Sequence, residues 1–177
     1  MSVVGVDMLY QGEFLAGQDV SKTRKVGNNR EVAMYSFGYN HTLFARRVHD
    51  LMTVIRFVRN HEYTPKAVHL VGMGNVGPIA IAARSQARDE VTKLVAETKG
   101  FRFAHVSDYR SPDFLPGGAK FHDLLGMVAV ASPDEQMLLI SLAESITFMA
   151  LAATRCSRSS SEDTGAEWAA KCFSARR

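Results

Sequence analysis

The fold is decided by the stretch His69-Leu70-Val71-Gly72-Met73-Gly74-Asn75-Val76-Gly77-Pro78. Its β-rich start predicts a buried strand, and its glycines predict a tight turn. Pro78 then stands where helices accept proline, in the first turn. A strand, a glycine-rich turn and a helix in this order are typical of α/β proteins, which bind ligands beside such turns.

Apolar periodicity on both sides of this stretch extends the α/β pattern. The clearest segment is 42–60, where Phe44, Leu51 and Ile55 recur at helical spacing, while arginines such as Arg47 are placed largely off the apolar stripe. The predicted order is a strand at 3–9, helix 42–60, strand 67–71, helix 78–87, strand 91–96, helix 121–128, strand 136–141 and helix 142–153. Such alternation predicts a three-layer α/β/α domain with a mostly parallel sheet and helices on both faces.

The remaining segments are predicted to be irregular. Residues 11–40 are polar and glycine-bearing, which predicts a long loop with at most a short strand near Val32 to Phe37. Residues 97–118 predict an aromatic and proline-rich connection. The polar end of the chain predicts a domain over 1–154 and a disordered tail over 155–177.

Composition and charge exclude several classes of protein. With 177 residues, of which 46% are hydrophobic and 22% charged, the chain has the composition of a folded domain. No apolar run reaches the ~18 residues of a membrane span, and no secretory signal opens the sequence. The net charge of +3 predicts no nucleic-acid partner, because the main basic cluster reads as a solvated loop. That cluster consists of Lys22, Arg24, Lys25 and Arg30.

The cysteines and histidines indicate neither a disulfide framework nor a metal site. The two cysteines, Cys156 and Cys172, both lie in the predicted tail, and no Cys/His spacing matches a zinc site. We therefore expect no metal and no cofactor, and a chain that, as given, is cytoplasmic.

The glycine turn admits three interpretations. Gly72, Gly74 and Gly77 spell G-x-G-x-x-G, the dinucleotide-binding fingerprint, and Glu97 follows the next strand where an acid would hold a ribose. Alternatively the turn is the nucleophile elbow of a hydrolase, in which case Gly74 stands in the nucleophile position without a side chain. The third interpretation is a plain strand-to-helix turn without a ligand.

A longer series of motifs resembles one family. The series resembles bacterial acetylxylan-esterase-like proteins of the α/β-hydrolase superfamily, from about residue 3 to about residue 144. Its motifs are Asp7-Met8-Leu9-Tyr10-Gln11-Gly12-Glu13-Phe14, Phe37-Gly38-Tyr39-Asn40-His41, Arg47-Val48-His49-Asp50, Gly77-Pro78, Gly100-Phe101-Arg102-Phe103 and Phe114-Leu115-Pro116-Gly117-Gly118-Ala119-Lys120-Phe121.

This resemblance implies roles for particular positions. The strand at 3–9 would be the family's fourth strand, and the turn with Gly72, Gly74, Asn75 and Gly77 would be its elbow. Glu144 is the only acid near the position of the family's catalytic acid. No residue matches the catalytic histidine, because His105 and His122 come too early in the chain. The family's third strand, which would lie between 3–9 and 67–71, is also missing, so we expect these two segments either to pair directly or to leave a gap.

The expected function is that of a catalytically incompetent, partial hydrolase-like domain. A Ser–His–acid mechanism needs a nucleophile, a base and an oxyanion hole. If a complete parent is active, its substrates would be small esters or acylated carbohydrates, and such a parent could be exported. For the Ser/Arg-rich end of the chain, the hypothesis is a truncated or frame-shifted reading of a longer gene. Self-association or a second chain would complete the sheet. The alternatives are a dinucleotide-binding protein using Gly72, Gly74, Gly77 and Glu97, or a non-catalytic accessory domain.

Other chemistry-bearing residues carry mainly structural predictions. Adjacent His49 and Asp50 point about 100° apart on a helix and do not face one another. Asp7 and Glu13 could approach the strand ends or serve a turn. We expect Phe101, Phe103 and Phe114 to pack in the core. An anion-binding role for Gly117, Gly118 and Lys120 is less favoured.

Overall fold

The computed structural model describes residues 2–15, 29–131, 137–142 and 146–151. Four helices and four strands lie in these ranges, joined by short 3-10 turns. In chain order they are α1 (Asn29–Tyr39), α2 (Leu43–Arg59), β1 (His69–Gly72), α3 (Gly77–Ala87), β2 (Lys93–Glu97), α4 (Asp123–Ala131), β3 (Met137–Leu142) and β4 (Ile146–Leu151).

The strands form one sheet in the order β1-β2-β3-β4. β1 pairs parallel with β2 and β2 parallel with β3, whereas β3 and β4 pair antiparallel. The register places Val71 opposite Val95 and Val95 opposite Leu138. The predicted mixed α/β class is thus confirmed.

Helix α3 is the centre of the core. It packs on β1 and β2, and both α2 and α4 pack against it. Ile79, Ala80 and Ile81 have no exposed surface, as expected for a helix that is apolar all round. Along β2, Leu94 and Ala96 are buried in the same core, whereas Lys93 at the start of this strand is exposed. One face of β1 and β2 is therefore covered by α3.

Helix α2 forms where its apolar spacing predicts it. The Thr42 hydroxyl accepts a hydrogen bond from the Ala45 amide at 3.3 Å, which caps the first turn. Phe44, Leu51 and Ile55 are buried. The prediction that Arg47 lies off the buried face is wrong, because Arg47 lies on this face and is only 6% exposed.

The predicted strand at 3–9 is absent. Residues 2–8 have no strand structure, and Val3 and Val4 are 85% and 63% exposed. They also do not pair with β1, whose neighbour among the described residues is β2. A strand needs a neighbouring ladder to satisfy its backbone groups, and a β-prone composition alone does not supply one.

Two further predictions of local structure are wrong. The predicted loop at 11–40 contains α1, so that the short strand expected near Val32 to Phe37 is helical. Its Phe37 ring packs on that of Phe114, with ring centroids 5.2 Å apart. The helix expected at 142–153 contains β4, because residues 146–151 satisfy their backbone groups by pairing with β3. The predicted tail at 155–177 lies outside the described residues.

Candidate site at the glycine turn

The glycine turn connects β1 to α3 through a short 3-10 segment, Gly74–Val76. Gly74 has φ +59°, in the left-handed region that favours glycine. The first turn of α3 contains Pro78, as predicted. The strand, turn and helix expected from the sequence are therefore all present.

Two of the glycines are required by close packing. A Cβ on Gly72 would lie 2.7 Å from the Cβ of Ala80, which is too close for a side chain. A Cβ on Gly77 would overlap the carbonyl oxygen of Glu97. Helix α3 can lie directly against β1 and β2 because both positions lack a side chain.

Two charged side chains reach the turn: Glu97 from the end of β2 and Lys99 from the loop after it. The Gly74 amide donates a hydrogen bond to Glu97 Oε2 at 2.7 Å. A Cβ on Gly74 would have, among the described residues, only Lys99 Nζ within 4 Å, at 3.7 Å. Lys99 was missed by the sequence analysis, although its position two residues after Glu97 in the loop beyond β2 was the available signal.

This geometry reproduces parts of the dinucleotide fingerprint. The third glycine, Gly77, permits close helix-to-strand packing, and Glu97 ends the adjacent parallel strand beside the turn. The Glu97 carboxylate, however, is hydrogen-bonded to the turn itself. An incoming anion would have to replace that carboxylate at the Gly74 amide.

One feature of the turn agrees with the elbow interpretation. Gly74 has the left-handed backbone of a sharp strand-to-helix turn but no side chain to attack an ester. Asn75 beside it is exposed. The expected acid, Glu144, lies outside the described residues, and His105 and His122 are both exposed.

A second polar cluster, the Arg47 clasp, holds the segment before α1 against α2. It consists of Arg47, Asp50 and the backbone of Leu9 and Tyr10. Arg47 Nε donates to the Leu9 carbonyl at 2.9 Å, and Arg47 Nη2 donates to the Tyr10 carbonyl at 3.0 Å. Asp50 Oδ2 accepts from the Leu9 amide at 3.2 Å. These bonds explain why a charged residue is tolerated on the buried face of α2.

Burial perturbs the ionisation of this cluster. Desolvation lowers the pKa of Arg47, and the nearby charges of Asp113 and Asp50 oppose that shift. Desolvation also raises the pKa of Asp113, which Arg47 partly counteracts. Asp113 was not among the predicted site residues, because nothing in its local sequence indicates a half-buried carboxyl group.

The remaining candidates have structural contacts. Asp7 Oδ2 accepts a hydrogen bond from the Glu13 amide at 3.2 Å, which is the turn role. Phe103 is buried and packs edge-to-face with Phe44 and Phe101. A Cβ on Gly118 would lie 2.8 Å from the Phe103 ring, so this glycine makes room for the aromatic core.

A groove of about 580 Å³ lies where α2 meets the C-terminal end of α3, away from the glycine turn. Its lining includes His49, Arg56, Phe57, His61 and Glu90. Arg56 Nη2 and Glu90 Oε1 form an ion pair at 3.1 Å across it. The groove therefore brings together none of the residues predicted for the glycine-turn site.

The described ranges contain no group of three or more His, Cys, Asp or Glu side chains arranged to hold a metal ion. Within the same ranges, no helix combines the length and the apolar character needed to cross a membrane.

Comparisons with family models, with curated proteins and with solved structures find no match to this chain. The resemblance to acetylxylan-esterase-like hydrolases is therefore a hypothesis that depends on the motifs alone.

Proposed function

We propose that this chain is a hydrolase-like α/β domain whose glycine turn has a structural role and does not catalyse ester hydrolysis. One observation carries the proposal: the elbow position is Gly74, and its amide is already hydrogen-bonded to Glu97 at 2.7 Å. The nucleophile position thus offers no attacking atom, and its backbone amide is engaged in a bond that holds the turn to β2. The three-layer arrangement and the kinship to acetylxylan-esterase-like proteins belong to the same proposal.

The chemistry of ester hydrolysis explains why this matters. A serine-type mechanism requires a hydroxyl activated by a general base, and backbone amides free to stabilise the oxyanion. Gly74 supplies no hydroxyl. The ligands of such a domain would be small esters or acylated carbohydrates, bound without turnover.

Hydrolysis of an aryl acetate by the purified chain tests the proposal. We expect no rate above the buffer background for the wild type. Glu97→Gln, which weakens the internal bond to the turn, should also be inactive, and the exposed Glu62→Gln is its matched control. Hydrolysis by the wild type that is lost on substitution within the glycine turn would overturn the proposal.

A second candidate, dinucleotide binding, is favoured by the position of Glu97 at the end of the parallel strand next to the turn. Titration with NAD or NADP, followed by thermal unfolding, tests it. A ligand at 100 times its dissociation constant stabilises the folded state by about 2.7 kcal/mol. Binding through this site predicts a rise in melting temperature that Glu97→Gln reduces and Glu62→Gln does not.

A further inference from the structure

Strand β1 lies at one edge of the described sheet. Its pairing partner among the described residues is β2, so the opposite side of β1 has no strand within those residues. Natural edges are protected against further pairing by charged residues, proline or bulges. The centre of β1, Leu70-Val71-Gly72, has none of these side chains, and Val71 is 61% exposed.

The same chain contains a strand-forming segment that pairs with no strand among the described residues. Residues 2–7 have no helix or strand structure, and Val3, Val4 and Val6 are 85%, 63% and 40% exposed. Valine is among the residues most enriched in strands. No atom of the described residues lies within 4 Å of the position that a Cβ on Gly5 would take. The contacts that hold the chain here begin at Asp7, which accepts from the Glu13 amide, and continue through the buried Met8 to Leu9, whose amide donates to Asp50.

We propose that residues 2–6 of one chain add as a strand to the β1 edge of a second copy, and that the two copies exchange these segments reciprocally. Strand addition to an open edge supplies main-chain hydrogen bonds along the whole segment. At roughly 3.3 Å per residue, residues 2–6 span about 17 Å and β1 about 13 Å, so the segment is long enough to pair along all of β1. Residues 2–6 carry no charge, and neither does the centre of β1.

The second copy is the occupant because each chain contains both halves of the interaction. In the single chain the segment lies off its own β1 edge, which leaves a donor strand and an acceptor edge that are complementary. Reciprocal exchange makes the interface isologous and closed, so a dimer forms and not an open filament. Two short strands bury less than the ~1,600 Å² of a standard interface, so the dimer should be weak and concentration-dependent.

Light scattering of the 177-residue chain across a wide concentration range tests the proposal. The wild type should pass from monomer to dimer as its concentration rises. Val4→Lys places a charge in the added strand and should weaken dimerisation by about tenfold or more. Val130→Lys is the matched control, because Val130 is equally exposed at 63% and lies on α4. A wild type that stays monomeric, or a dimer that Val4→Lys and Val130→Lys affect equally, overturns the proposal.

Disulfide trapping identifies the copy that contributes the strand. In a background with Cys156→Ser and Cys172→Ser, chains with Val4→Cys are mixed with chains with Val71→Cys and oxidised. The proposal expects mixed dimers between the two kinds of chain. A single chain with both substitutions that closes only on itself would show that the segment pairs with its own β1, and would overturn the proposal.

Discussion

The glycine turn and the Arg47 clasp both hold an irregular piece of backbone, but by opposite means. In the turn, backbone packs on backbone, because Gly72 and Gly77 leave no room for side chains between α3 and the strands. In the clasp, one buried guanidinium and one carboxylate reach across from α2 and bind the backbone of Leu9 and Tyr10.

This difference implies different sensitivities to substitution. A turn held by close packing should tolerate no added atom at its contact points, yet depend little on the Glu97 hydrogen bond added to it. A loop held by side chains should depend mostly on the charged side chains that bind it.

The largest effect is expected for Gly77→Ala. The new Cβ would overlap the Glu97 carbonyl, which is backbone and cannot rotate away. We expect a loss of about 3–4 kcal/mol in the free energy of unfolding, measured by urea denaturation. Gly38→Ala is the control, because Gly38 is helical with nothing within 4 Å of its Cβ position, and it should be neutral or slightly stabilising. A Gly77→Ala variant as stable as the control would show that the turn is not held by packing.

Arg47→Met is expected to have the next largest effect. It removes both hydrogen bonds to the Leu9 and Tyr10 carbonyls and leaves the carboxylate of Asp113 without its nearby cation. The expected loss is about 2–3 kcal/mol, with faster hydrogen exchange at the Leu9 amide. Arg46→Met, at the exposed neighbouring position, should change stability by less than about 0.5 kcal/mol. An equal loss of stability in Arg47→Met and Arg46→Met would show that the Arg47 clasp does not hold this loop.

The same contrast explains what the sequence could predict. Periodicity and glycine spacing predict α2, β1, α3 and β2, because each of these elements follows from local pattern together with burial. The position of Glu97 beside the turn also follows, since parallel neighbouring strands end at the same edge of a sheet.

The clasp could not be predicted in this way. An arginine on a helix is normally predicted to be solvated, and only the carbonyls of a loop 37 or 38 residues away allow Arg47 to be buried.

The segments 3–9 and 146–151 show the same dependence on distant partners for strands. The first has β-prone residues but no neighbouring strand in the described part of the chain, whereas the second becomes β4 because β3 pairs with it. Long-range partners decided these cases, and local propensity did not.

A smaller, pH-dependent effect is expected for Asp113→Asn. Burial raises the pKa of Asp113 above its ordinary value of 3.8, so the carboxyl proton of Asp113 is bound more tightly in the folded chain than in the unfolded chain. The stability that Asp113 contributes is therefore fully present below pH 3.8 and is lost as the pH rises through the raised pKa. The stability of the wild type relative to Asp113→Asn should fall over that window in urea titrations. Asp89→Asn controls for removal of one exposed negative charge, and a relative stability that rises instead would show that Arg47 dominates the carboxylate.

The smallest effect is expected for Glu97→Gln, which tests whether the glycine turn depends on a side chain as the Arg47 clasp does. The amide oxygen of glutamine can still accept from the Gly74 amide, but without the charge that strengthens the bond. Because the packing of Gly72 and Gly77 already holds the turn, the loss should be only about 0.5–1 kcal/mol. The Gly74 amide resonance should shift while those of α2 stay in place. Glu62→Gln, an exposed change of the same kind, should move neither stability nor the Gly74 resonance. A loss for Glu97→Gln as large as that for Arg47→Met would mean that the turn, like the clasp, is held by a side chain.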